Sequence, residues 1–143
     1  NDLHAAMACL GAGRDTRLVE LLADMERGAS GAAETAHWIR AVGLPLIRGF
    51  TAFWRAQYPL CVETLHPLRY LAARFGGSHA QRDIIDWTMT EAAVRAGRAD
   101  WATALAHERA ALKPHSAVNR AFLRRAAAGS VAQAAASPSR PAR

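Results

Sequence analysis

His79 and Asp83 stand four residues apart, a spacing that brings two potential metal ligands onto one helix face, with Gln81 and Arg82 between them. A zinc site needs about three or four protein ligands, and no third residue stands at a matching interval. A structural role fits these residues better. Ser78 is a suitable N-cap, Asp83 falls in the favourable first turn, and Arg82 is expected to pair with a neighbouring carboxylate. His107-Glu108 begins like a zinc-protease helix, but Ala111 stands where the second histidine is needed. Gly11-Ala12-Gly13 follows a helical segment, whereas phosphate-cradling glycine loops follow a strand, so it reads as a hairpin turn. Gly77-Ser78-His79 lacks the second glycine and the strand-to-helix elbow of a serine hydrolase. No catalytic, metal or cofactor motif is complete, and a non-catalytic role is expected. The enzymatic alternative gathers Arg69, His79, Gln81, Arg82, Asp83 and Glu108 into a polar pocket that works with residues outside this sequence.

The elements that must position these residues are helices. Apolar residues recur at three- and four-residue spacing with Gly or Pro at the joins, giving about seven helical segments and no strand. A first pair spans 2–27, turning at Gly11 to Gly13, and a loop from Gly28 to Ala33 follows. A second pair spans 34–75 and turns at Gln57-Tyr58-Pro59, with Pro45 and Pro67 each expected to kink or interrupt its helix. The third pair spans 78–112, after Gly76-Gly77, and a capping helix over 116–128 covers Val118, Phe122 and Leu123. Residues 129–143 are mainly Ala, Ser, Pro and Arg with almost nothing to bury, and a disordered tail is expected there.

Composition agrees. The 143 residues suit one domain, about half are apolar, and alanine, about a quarter of the chain, favours closely approaching helices. The longest apolar stretch, near Val42 to Trp54, is broken by Arg48 and falls short of a membrane span. Cys9 and Cys61 sit among apolar residues rather than in a paired motif, which suits core filling in a reducing cytoplasm. The chain opens inside a helical pattern without a methionine or signal sequence, as expected of part of a longer protein. Its net charge of +6 comes almost wholly from arginine, without basic runs interleaved with aromatics, and this disfavours nucleic acid as the partner.

Helix pairs at intervals of roughly 40 residues are the mark of a helical repeat, in which each hairpin buries its apolar face on the next. With Gly13, Ala56 and Gly97 aligned as the turns, the residues four and seven places earlier are Cys9 and Ala6, Ala52 and Gly49, Ala93 and Thr90. All are small, as a close helix crossing requires. Leu22 and Leu65 take the large slot of the second helix, and Ala106 is its undersized counterpart. The expected fold is therefore all-α: stacked antiparallel helix hairpins, a tetratricopeptide (TPR)-like α-solenoid, with a C-terminal capping helix.

Four segments also resemble the C-terminal part of the tetratricopeptide repeat protein 38 family: VGLPL at 42–46, HPLRY at 66–70, GGSHAQRD at 76–83 and ERAALKP at 108–114. The last two lie outside the general TPR consensus and carry most of the likeness, which extends to about Ala128. The resemblance implies further hairpins upstream of Asn1 and supplies no catalytic residues.

In a TPR stack the first helix of each hairpin lines a groove. Leu3, Met7 and Leu10, then Leu46, Phe50, Phe53 and Trp54, then Trp87, Glu91, Val94 and Arg95 are expected on that surface, with Glu91 and Arg95 as an exposed pair four residues apart. Such an apolar row fits a protein or peptide partner, a second copy of the chain, or its own upstream repeats. The function expected is a cytoplasmic protein-interaction scaffold.

Overall fold

The computed structural model describes residues 2–71 and 78–136, and every regular element among them is helical. In chain order these are α1 (Asp2–Gly11), α2 (Asp15–Ala29), α3 (Glu34–Trp38), a π-helical turn (Ile39–Gly43), α4 (Leu44–Trp54), α5 (Tyr58–Leu65), α6 (Leu68–Leu71), α7 (His79–Arg95), α8 (Ala99–Leu112) and α9 (Ala117–Ala136). The expected helix end at Phe75, the Gly76-Gly77 join and the tail from Ser137 onward lie outside the described residues. Where the sequence predicts one folded unit, the chain forms two, Asn1–Thr88 and Met89–Arg143, with the boundary inside α7.

The three aligned turns share one backbone conformation. Gly13, Ala56 and Gly97 have φ of +63°, +57° and +66°, the left-handed region that ends many helices. Each turn closes with the same two hydrogen bonds. Arg14 N donates to Cys9 O at 2.8 Å, Gln57 N to Ala52 O at 2.8 Å and Arg98 N to Ala93 O at 3.1 Å. The residue before donates to a carbonyl three places back: Gly13 to Leu10, Ala56 to Phe53 and Gly97 to Val94. This is the Schellman closure, which satisfies carbonyls left open at a helix end. Arg14, Gln57 and Arg98 then enter the next helix with matching dihedrals, φ near −94°, −84° and −80°.

In the first unit, α1 and α2 bury Ala6, Leu10, Leu18, Met25 and Ala29 against Leu44 and Ile47 of α4, so the first hairpin packs on the first arm of the second. Arg40 strengthens this joint by donating from Nη1 to Ala29 O and, at 3.0 Å, to Gly31 O, near the end of α2. The expected disturbance at Pro45 takes a specific form. Proline has no N–H for the ladder, and the turn just before it widens so that Leu44 N–H reaches Ile39 O, five residues back. The helix continues, and Pro45 takes its place in the first turn of α4. Pro67 separates α5 from α6. The crossing of α4 and α5 centres on Gly49: a Cβ there would lie 2.4 Å from Leu65 Cδ2 and 2.7 Å from its Cγ. Gly49 and Leu65 are the small and large residues that the repeat alignment pairs, and Leu65 is fully buried.

The second unit holds the end of α7, then α8 and α9, and buries Met89, Ala92, Ala93, Ala102, Leu105, Ala106, Phe122 and Ala126. The expectation of a tail from Gly129 is corrected, since α9 runs on to Ala136. Alanine has the highest helix propensity, so a run of it extends a helix once Phe122 and Ala126 have docked. Beyond Gly129, the Ser130 hydroxyl lies 3.3 Å from that of Thr103 on α8 and donates at 3.0 Å to Ala126 O.

The turns and the crossing have opposite sensitivities to a methyl group. Ala56→Gly removes a left-handed penalty of about 1–2 kcal/mol and loosens the unfolded chain by about 0.4–1 kcal/mol, for a net gain of up to about 1 kcal/mol. Gly13→Ala and Gly97→Ala, where a Cβ meets nothing within 4 Å, are expected to lose a similar amount through the backbone alone. Gly49→Ala should cost about 1–3 kcal/mol by overpacking. Chemical denaturation of the four variants checks both the signs and the order.

Candidate functional site

Three of the residues anticipated as a polar pocket, His79, Gln81 and Arg82, make contacts at the start of α7. Ser78 N donates to Gln81 Oε1 at 2.8 Å and Gln81 N donates to Ser78 Oγ at 3.2 Å, a reciprocal capping box that opens α7 and engages Gln81. His79 Nδ1 lies 3.2 Å from Arg82 Nη2 on the same helix, and Asp83 is half-buried one turn on. Arg69 Nε sits 2.8 Å from Asp86 Oδ1, linking α6 to α7 within the first unit. Glu108 belongs to the second unit, exposed on α8. No group of three His, Cys, Asp or Glu side chains among the described residues could hold a metal. Burial pushes the Cys61 thiol up to about 12, which keeps it protonated and unreactive at neutral pH.

The anticipated apolar row divides. Leu46 and Phe50 are core residues at 7% exposure, and Leu10 is buried in the first unit's core with Leu3 packed against it, so these leave the groove. Leu46 and Phe50 stand four residues apart on one face of α4, and that face is packed rather than open. Phe53 is half-buried, edge-on to Tyr58 with ring centres 5.7 Å apart. Trp54 and Trp87 keep open surface, 59% and 39%. Glu91 and Arg95 do pair, Nε to Oε1 at 2.6 Å, but Glu91 is buried at 4%, correcting the expected exposed pair.

Glu91 is the centre of a charged cluster in the second unit. Its position relative to the turn is that of Met7 and Phe50 in the other hairpins, so a carboxylate occupies an apolar slot. Arg125 of α9 reaches it with both guanidinium nitrogens, Nη1 to Oε2 at 2.5 Å and Nη2 to Oε1 at 3.0 Å. A second exchange occurs on α8, where Arg109 takes the slot of Met25 and Leu68 and is likewise buried. Arg109 Nε donates to Asn119 Oδ1 at 3.2 Å, while Asn119 Nδ2 donates to Arg109 O at 2.8 Å and Lys113 O at 3.3 Å, closing the end of α8. Phe122, buried at 2%, joins the two clamps: Arg109 lies 6.0 Å and Arg125 5.9 Å from its ring centre.

The hydrogen bond from Arg125 holds the Glu91 carboxyl below its ordinary value of 4.5, against the opposing effect of burial, with Arg95 adding to the lowering. A carboxylate fixed in its ionised form by two arginines is a poor proton donor or acceptor at neutral pH. The arrangement is an anchor for α9. Arg109, Asn119 and Arg125 were not among the anticipated site residues, although charge in the slots of Phe50 and Leu68 was visible once the turns were aligned. No family model matches the chain, and no solved structure matches it.

Because both arginines in contact with Glu91 are about half exposed, Glu91→Ala is expected to cost about 2–3 kcal/mol rather than the larger loss of a fully buried pair. The pH dependence has a definite sign. A carboxyl with a lowered folded-state pKa contributes fully above 4.5 and loses that contribution as pH falls through the folded value. Glu91→Gln, which keeps shape and removes charge, should be less stable than the parent at pH 7, with the gap closing below pH 4.5. Urea unfolding across this range measures it.

Proposed function

We propose that this chain is a non-catalytic helical-repeat scaffold of the TPR type that holds a polypeptide partner. The observation that carries the reading is the triple occurrence of one turn, at residues 13, 56 and 97, with the same dihedral region and the same pair of closing bonds. Recurrence of a hairpin at nearly constant spacing is what a stacked repeat requires, and repeat proteins of this kind work as extended binding surfaces. The likeness of GGSHAQRD and ERAALKP to the tetratricopeptide repeat protein 38 family supports the same reading. Trp54 and Trp87 are the natural anchors, since large aromatics in contact with a partner carry much of an interface's energy. The partner is a separate polypeptide, a second copy, or further repeats of the same protein. The proposed setting is a reducing cytoplasm, which suits two free cysteines. No helix among the described residues is long and apolar enough to cross a membrane.

A photo-crosslinking residue in place of Trp54 or Trp87, compared with one at the exposed Val19, tests the proposal in extract of the source cell. A defined polypeptide adduct at 54 or 87, absent at 19 and reproduced with the purified partner, is the expected result. Equal labelling at all three positions, or none, rejects it.

A further inference from the structure

The chain's charge is unevenly divided. Residues 1–88 hold nine basic and nine acidic side chains and are neutral, whereas residues 89–143 hold nine basic and three acidic, so the whole net charge of +6 belongs to the second unit. Within that unit the acids are drawn off the surface of α9. Glu91 is buried beneath two arginines, Asp100 lies 3.6 Å from Arg98, Glu108 stands on α8, and α9 itself contains three arginines and no acid.

The side of α9 turned away from the core carries Ala117, Arg120, Arg124, Ala128 and Val131, spaced by three and four residues, all exposed. Arg120 donates to the His115 carbonyl at 2.9 Å rather than to an acid, and Arg124 forms no ion pair among the described residues. Two cations one helical turn apart, flanked on the same face by Ala117 and Ala128, form a shallow strip onto which an extended or helical backbone can lie closely. We infer that this outward face of α9 docks an acidic polypeptide segment carrying aliphatic side chains, an inference that rests on the scaffold reading. Val131, 70% exposed, offers the aliphatic contact.

The chemistry separates this partner from other anions. Single-stranded nucleic acid is held by bases stacked on aromatic rings, and the large exposed hydrophobics of this unit are aliphatic: Leu112, Val118 and Val131. An anionic membrane is held by a broad apolar helix face, and here that face is turned to the core through Phe122 and Ala126.

Fluorescence anisotropy with the full chain tests the inference. The probes are a short labelled peptide of glutamates with interspersed leucines, its glutamine counterpart, a single-stranded oligonucleotide, and phosphatidylserine vesicles. The glutamate peptide should bind best, weaken as salt rises, and weaken by roughly tenfold or more in Arg120→Glu/Arg124→Glu. Arg17→Glu/Arg27→Glu, which changes net charge equally but in the first unit, should bind as the parent does. Arg120→Gln/Arg124→Gln keeps the test open if charge reversal disturbs folding, and should show a smaller loss. Equal binding of the two peptides, equal effects of the two glutamate variants, or preference for the oligonucleotide or the vesicles overturns the inference. Any of these leaves crosslinking at 54 and 87 untouched, so the two readings fail separately.

Discussion

A left-handed residue at the end of a helix folds this chain back on itself three times, and the rest of the architecture follows from that reversal. It ends the first helix through two fixed hydrogen bonds, sets the entry dihedral of the second, and thereby determines which residues come to the crossing. Glycine adopts the conformation freely at 13 and 97, while Ala56 adopts it under strain. That strain persists because Gly49 and Leu65 lock the second hairpin a few residues away. A local cost is held by a tertiary fit.

The hairpins then diverge in what fills the shared slots. In the first unit Phe50, Leu68 and Met25 bury hydrocarbon, which attracts any apolar neighbour of suitable shape. In the second, Glu91 and Arg109 demand particular partners at particular atoms, and α9 supplies them with Arg125 and Asn119. Ionic anchors of this sort add little net stability over well-packed hydrophobic ones, yet they penalise any helix that lacks the matching groups. The third hairpin is therefore selective about the helix that covers it.

Much of this was legible in the residues. Small side chains at fixed distances before Gly13, Ala56 and Gly97 located the turns and the Gly49 crossing, and Ser78 announced the start of α7. The facing of the second hairpin was not legible. Pro45 signalled a disturbance, but only the backbone revealed a π-helical turn, and α4 buries Leu44, Leu46, Ile47, Gly49, Phe50 and Ala52 around most of its circumference, so apolar spacing alone did not single out an open face. The end of α9 was misjudged because a run of alanines is compatible with both coil and helix, and the docking of Phe122 decides between them. The Glu91 cluster escaped because Arg125, which holds both carboxylate oxygens, comes from α9, a full helix beyond the turn that defines its slot.

The π-helical turn also governs how this arm keeps phase. Each residue advances the direction of its side chain by about 100°, so one surplus residue within a rigid rod would point everything before it at the wrong neighbour. Widening a single turn absorbs the surplus, and Ala36 before it and Val42 within it stay buried along with Ile47 and Ala52 after it. The interval from turn 13 to turn 56 is 43 residues, while that from 56 to 97 is 41. Such a joint behaves as an expansion gap in the helix, taking in one of the two extra residues while the packed faces remain in register.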